Sequence, residues 1–293
     1  MKTINARLCL IITAVASLIA LPSETLSQRR EAAPVTFTKL AEQIYMIGGG
    51  SGANGGAYIG DNGVLLIDTK MDEASMKQVF DGLSKITDKK VVFLVNTHSD
   101  GDHVRGNRYM PGGVTIVAHE NCRKEFYLPQ RDGSASEWSD PALAAYVPSV
   151  TFSERMTLHV GDDRVELWHF GTAHTIGDAV IYFPGEKIAF IGDQYFEGRP
   201  ALIHAYKGGS ALGHIQNLER MLDLLDAVVF VSGHSNPVGR DDIQRHIGDM
   251  KKLVQAIESR IIQGDSLEAV RKRFAENESD LVGIIFNEIK ARM

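Results

Sequence analysis

The stretch Asn96-Thr97-His98-Ser99-Asp100-Gly101-Asp102-His103 concentrates two imidazoles and two carboxylates within six consecutive residues. Side chains of these types ligate zinc and other divalent cations. His98 and Asp100 stand two apart and fall on one side of an extended backbone, whereas Asp102 and His103 are adjacent and must point different ways. One short loop could therefore serve two neighbouring metal ions. Turn formation alone would account for Ser99-Asp100-Gly101-Asp102. It does not account for the two histidines that bracket them.

The loop needs a rigid element behind it. Val91-Val92-Phe93-Leu94-Val95 is β-branched and aromatic, which predicts a buried strand running out into the cluster. The same handover from apolar strand to small residue to ligand-type side chain recurs further on. Val165 to Phe170 leads into Gly171-Thr172-Ala173-His174, Ala189-Phe190-Ile191 ends at Gly192-Asp193, and Val228 to Val231 ends at Ser232-Gly233-His234. If these strand ends share one rim, His174, Asp193 and His234 converge with the first cluster. The other histidines, His119, His159, His169, His204, His214 and His246, lack this setting and are expected to be structural or superficial. Of these, His204 and His214 are the best placed to line a pocket.

From Thr36 the chain reads as an antiparallel meander, with strands at 44–47, 57–60 and 63–68 and a hairpin signal at Asp61-Asn62-Gly63. The glycine-rich stretch 48–56 joins strand to strand and lacks the Gly-Lys-Ser/Thr ending of a phosphate loop. It is read as a mobile hairpin loop. Met76, Val79, Phe80 and Leu83 predict one apolar face of a helix over 72–86. A strand at 114–118 and a helix from Glu120 to Tyr127 follow, then a polar, turn-rich surface segment from Pro129 to Pro148. A second set of strands is expected at 156–160, 165–170, 179–183 and 187–191. Helices are expected at 211–225, at 241–263 and from 266 onward, with a strand at 227–231. Two β-rich halves, each with its own helices, imply sheets packed face to face and covered outside by helices. From Gln28 to Met293 this makes one domain of mixed α/β (α+β) class.

The chain has 293 residues, is 44% hydrophobic and 23% charged, and carries a formal net charge of -6. An acidic balance argues against nucleic acid as a partner, since phosphate binding needs a basic face. Lys2 and Arg7 precede an apolar run from Leu8 to Leu21, followed by Pro22 and small polar residues, the layout of a secretory signal peptide over 1–27. That run is short for a membrane span. The mature protein is expected to be soluble and secreted or periplasmic, without a membrane in its mature form. Cys122 alone would remain after cleavage, so no intramolecular disulfide is expected, and Asn121-Cys122-Arg123 carries no nucleophile signature.

The ordered set of motifs resembles the metallo-β-lactamase superfamily. It comprises Gly63 to Asp68 ending in Asp-Thr, Asn96-Thr97-His98 with Asp102-His103 and Gly106-Asn107, Ala173-His174-Thr175-Ile176-Gly177-Asp178, Gly192-Asp193 and Gly233-His234. The resemblance implies a four-layer αββα metallo-β-lactamase-like sandwich. It also implies two zinc ions, one held by His98, Asp100 and His174, the other by Asp102, His103 and His234, with Asp193 bridging. The family pattern is His-x-His-x-Asp-His, and Asp100 stands where its second histidine is expected. Two histidines and a carboxylate form a competent zinc set, and the same donors suit iron or manganese. Asp100 leaves the ligand shell formally neutral, from which weaker Lewis acidity at the first metal is expected.

The activity implied is hydrolysis of an ester, thioester, lactone or amide-type bond in a small-molecule substrate by a metal-bound hydroxide, with Asp102 as the catalytic residue orienting it. The alternatives are β-lactam hydrolysis, non-haem iron redox chemistry, or metal binding without turnover. Asp68 and Asp178 resemble carboxylates that orient ligand imidazoles or serve a structural role. Tyr195, Arg199, Tyr206 and Lys207 follow the bridging position and face either the pocket or solvent. The sequence carries no reading of oligomeric state.

Overall fold

The computed structural model describes residues 32–130 and 132–293. The segment 1–27, read above as a signal peptide, lies outside them. A seven-stranded sheet runs in the order β1 (Thr36–Lys39), β2 (Ile44–Gly48), β3 (Gly55–Gly60), β4 (Gly63–Ile67), β5 (Val91–Val95), β6 (Thr115–His119), β7 (Val150–Phe152). Its first four strands form the expected antiparallel meander, and β4 to β7 are parallel. A six-stranded sheet contains β8 (Arg155–Val160), β9 (Asp163–Trp168), β10 (Val180–Phe183), β11 (Ile188–Gly192), β12 (Val229–Ser232) and β13 (Val238–Gly239), in the order β13-β12-β11-β10-β9-β8.

Alternation along the strands builds the layers. Leu65, Ile67 and Val95 of the first sheet pack against Val165, Leu167, Ile181, Phe190 and Val231 of the second. The intervening residues Val64, Leu66 and Leu94 turn outward onto Met76, Val79 and Leu83 of α1 (Glu73–Leu83). On the far side, Ala189, Ile191 and Phe230 meet α4 (Ala211–Leu224), α5 (Arg240–Ile262) and α7 (Ser279–Lys290), with α6 (Leu267–Arg271) beside them. Strands buried on both faces read as continuous apolar runs, which is why β4, β5, β11 and β12 were legible. Each fully buried aliphatic side chain contributes about 1.5–3 kcal/mol. The result is a four-layer αββα sandwich. The helix expected from 266 onward is broken into α6 and α7 by the turn at Phe274 and Ala275. The segment from Pro129 to Pro148 is less superficial than its polarity implies, because Trp138 and Val147 are buried with Val104, Phe126 and Cys122 of α3 (Glu120–Glu125).

Lys70, just past β4, is buried, and its ammonium donates to the carbonyls of Ile47 (3.1 Å) and Ala53 (2.5 Å). It ties the end of β2 to the glycine-rich loop. Burial pulls the amine from its ordinary 10.5 to about 8. Below pH 8 the group is protonated in both states and the folded chain carries the desolvation cost. Between about 8 and 10.5 the unfolded chain binds more protons, so stability rises with pH. Chemical denaturation is expected to show a gain on the order of 3 kcal/mol across that window, a gain that Lys70→Met lacks.

Candidate metal centre

The short helix α2 (Gly101–Val104) begins directly after Asp100, and this explains the divergence within the first cluster. His98 and Asp100 lie on extended backbone leaving β5, whereas Asp102 and His103 sit on a helical turn, where successive side chains are rotated apart. The loop is pinned from behind. Asp68 accepts from the Thr97 amide (2.7 Å), the Thr97 hydroxyl (2.7 Å) and His103 Nδ1 (2.8 Å), and the Asn96 and Asn107 side chains bond each other. Asp68 has a φ of +56°, a left-handed conformation that aspartate tolerates better than most residues.

These bonds settle the imidazole tautomers. The Thr97 hydroxyl spends its proton on Asp68, so at 3.0 Å it accepts from His98 Nδ1. His103 Nδ1 donates to Asp68, and His174 Nδ1 donates to the Leu202 carbonyl at 2.7 Å. In their neutral form all three rings therefore hold the lone pair on Nε2. His98 Nε2, His103 Nε2 and Asp193 Oδ1 are buried without a hydrogen-bond partner.

The strand-end residues converge as expected. Ligand atoms of His98, Asp100, His174 and Asp193 lie within 4.8 Å of one another, and those of Asp102, His103 and His234 form an adjoining group of the same tightness. Asp193 joins the two, its Oδ1 3.2 Å from His103 Nε2 and its Oδ2 3.3 Å from His234 Nε2. His234 Nε2 is also 3.1 Å from Asp102 Oδ2. Burial would raise the Asp193 carboxyl, but His103 and His234 overcome it and hold it well below the usual range. Hydrogen bonds donated to Asp102 and Asp193 raise His234 to about 9. Burial works against His174, yet its bond to Asp100 brings it to about 9. Unpartnered lone pairs aimed at buried carboxylates are the donor set of a cation site. The residues present fit two divalent ions, with His98, Asp100 and His174 on one side, Asp102, His103 and His234 on the other, and Asp193 between them.

Gly233 makes this approach possible. A Cβ there would lie 2.3 Å from Asp193 Oδ1 and 2.7 Å from His103 Cε1. Gly233→Ala is therefore expected to push both aside and weaken zinc binding by about 10-fold or more. Competition with a chelating dye measures this, and circular dichroism reports the retained fold.

The surroundings of Asp100 differ from expectation. Its Oδ1 accepts from Lys207 Nζ at 2.5 Å, and its Oδ2 lies 2.8 Å from His204 Nε2 and 3.1 Å from His174 Nε2. Lys207 also donates to Ser99 Oγ (2.8 Å), whose hydroxyl donates to Glu125. Burial pushes Glu125 up to about 7. The ligand shell keeps its formal count, but the Lys207 ammonium beside it supplies the positive charge that the carboxylate removes. The sequence marks His204 and Lys207 only as candidates to line a pocket and gives no sign of Glu125, since none of the three directly follows a strand end.

Tyr195 and Arg199 face another cavity beside α5, and His214 is buried against His246. Asp178 orients no ligand ring; it holds the Thr175 amide and hydroxyl at 2.9 Å and so shapes the His174 loop. His119 and His169 stack on each other at 3.7 Å and bond to backbone carbonyls, a structural role. Cys122 is buried and its thiol is pushed up by desolvation, which leaves it inert.

A cavity of about 250 Å³ opens beside the centre, lined among others by Asp102, Arg105, Trp138, Tyr206 and Lys207. A second, of about 480 Å³, lies on the other side of His234, between Asn54 and Asn236. No described helix is long and apolar enough to cross a membrane.

Residues 48–234 match the family model described as the metallo-beta-lactamase superfamily. The chain is 28% identical over 180 residues to the 2,4-dinitroanisole O-demethylase subunit alpha of Nocardioides sp. (strain JS1661), a match covering 61% of this chain and 51% of that one. It is 25% identical over 166 residues to the metallo-beta-lactamase type 2 of Elizabethkingia meningoseptica, covering 54% and 61%. The matches thus span about half to three fifths of these relatives. Among solved structures, a metallo-beta-lactamase from Pontibacter korlensis superposes with a TM-score of 0.60 at 18% identity, covering 74% of this chain and 99% of that one. The DIM-1 metallo-beta-lactamase does so with 0.61 at 15% identity, covering 76% and 99%. At these identities the structural likeness speaks for the fold alone.

Proposed function

Because the chain belongs to the metallo-β-lactamase superfamily, we propose that it is an exported hydrolase with two divalent cations, zinc by default, that cleaves an ester, thioester, lactone or amide-type bond in a small substrate. The observation that carries this reading is the pair of adjoining donor groups joined through Asp193, with buried, unpartnered Nε2 lone pairs turned inward. Bound cations would supply a water ionised near neutral pH and Lewis-acid stabilisation of developing negative charge. The chain's own groups do the rest. Asp102 is partly exposed at the mouth of the smaller cavity, where it orients a water and accepts its proton. Lys207 brings an ammonium to the cavity wall, and Trp138 and Tyr206 an aromatic surface. About 250 Å³ suits a small molecule rather than a polymer. Export rests on the layout of the first 27 residues.

β-Lactam hydrolysis is the second reading, favoured by the names of the lactamase relatives. The Nocardioides protein's name adds a nitroaryl methyl ether to the substrates worth testing. Elemental analysis of the purified protein, with a hydrolysis panel of lactone, thioester, aryl ester, β-lactam and nitroaryl ether, tests the proposal. Two equivalents of zinc and chelator-sensitive turnover of one panel member are expected. Protein that holds no divalent metal and turns over none of them sinks it, and bound iron with a redox-active spectrum redirects it to an oxidoreductase.

A further inference from the structure

We propose that His204 is a ligand of the first cation, supplying from a different loop the imidazole that position 100 lacks. The inference rests on the dinuclear reading above and names a residue outside its ligand set. Three imidazole nitrogens close on a single oxygen: Asp100 Oδ2 lies 2.8 Å from His204 Nε2, 3.1 Å from His174 Nε2 and 3.5 Å from His98 Nε2. Ligand atoms around a tetrahedral zinc with bonds of about 2.0–2.2 Å stand about 3.3 Å apart. The His98 nitrogen already stands at that spacing, and those of His174 and His204 lie just inside it, at 3.1 and 2.8 Å.

His204 is held in place rather than loosely parked. Its amide donates to the His174 carbonyl (2.8 Å), its carbonyl accepts from Lys207 (2.8 Å) and Gly209 (3.0 Å), and its ring packs on that of His174 at 4.5 Å. The same loop provides the Leu202 carbonyl that sets the His174 tautomer. A single short segment thus both prepares one donor ring and delivers another.

The competing role for His204 is that of a hydrogen-bond donor that steadies or neutralises Asp100. Lys207 already performs that task, with its ammonium on Oδ1 at 2.5 Å, the oxygen turned away from the three imidazoles. Asp100 is paired without His204, and the imidazole is left for the cation. The set His98, His174 and His204 restores three imidazoles to a site whose sequence motif contains only two.

The discriminating variants are His204→Gln and His204→Ala in the full chain, stripped with a chelator and titrated with zinc and with cobalt(II). Glutamine keeps an N–H for Asp100 but offers no imidazole. Loss of an outer hydrogen-bond partner weakens metal binding about 10- to 100-fold. As a ligand, His204 should instead cost one equivalent more than about 100-fold in both variants and change the cobalt visible spectrum. Two equivalents retained within about 100-fold in the glutamine variant, with an unaltered cobalt spectrum, overturn the assignment and leave the hydrolase reading standing. A wild-type chain that binds no divalent metal removes both. Nitrogen-15 spectra of histidine-labelled wild-type protein need no variant to fold. A shift of His204 Nε2 into the metal-bound range on adding zinc supports the ligand role, and an Nε2 that stays protonated refutes it.

Discussion

Asp193→Ala is expected to empty both cation sites at once and to lower kcat/KM by at least about 10³-fold, or roughly 4 kcal/mol of transition-state stabilisation. The size of the effect follows from position. Among the described residues Asp193 is the one carboxylate shared by both groups: Oδ1 faces His103 and Oδ2 faces His234, and it belongs to the His98, Asp100 and His174 group as well. It is only 4% exposed, so water cannot replace it. Without it His103 and His234 lose their shared counter-charge, and two cations lose the anion that screens one from the other. Asp193→Asn preserves shape and removes only the charge, so it separates electrostatics from packing and is expected to be nearly as inactive. Elemental analysis and turnover are read on the same preparation. Full metal content in either variant would mean that Asp193 lies outside the ligand shell.

How far the site could be read from the chain depended on how each residue is delivered. His98, His103, His174, Asp193 and His234 announce themselves because a buried strand must end in a small residue before a side chain can turn back over the rim. That transition is visible in one dimension. Asp68 was legible as a carboxylate at a strand end, though its three acceptor bonds needed coordinates. His204 and Lys207 follow no strand. They stand on an irregular segment whose course is set by contacts of Leu202 and His204 with the His174 loop, and a long-range contact of that kind leaves no periodic trace.

The fold shows the same division. Doubly buried strands gave unambiguous runs, whereas the short β7 and β13 have partners that only the assembled sheet provides. The polar stretch before Pro148 concealed Trp138 and Val147, two apolar residues too far apart to make a pattern.

The surroundings of Asp100 offset the charge change read from its motif. Substituting a carboxylate for an imidazole in an isolated motif removes a unit of positive charge. In the folded chain Lys207 returns it from the next loop at 2.5 Å. Charge at such a centre belongs to the whole cluster rather than to the motif. Arg105, whose guanidinium pairs with Glu137, is by contrast already neutralised at the cavity wall.

Asp68→Asn should be the most damaging change at a residue that touches no cation. Asparagine tolerates the same left-handed backbone, so no strain is added. Its side chain has one acceptor oxygen where Asp68 serves three donors: the Thr97 amide, the Thr97 hydroxyl and His103 Nδ1. If the oxygen stays with the Thr97 amide, the new amide group presents N–H to His103 Nδ1 and to Thr97 Oγ1. His103 can accept that bond only by moving its proton to Nε2, the atom that faces Asp193. The ring then directs a hydrogen where a lone pair is needed, and the second cation loses a donor. If His103 keeps its tautomer, two N–H groups meet in a buried site, at a cost of about 3–5 kcal/mol for breaking a buried charged pair. Either branch costs zinc affinity, by about 10- to 100-fold, and the second also costs stability. Zinc titration together with denaturation of the metal-free variant separates the two branches. Wild-type zinc affinity and unchanged stability together would show that Asp68 neither holds the His103 ring nor anchors the loop.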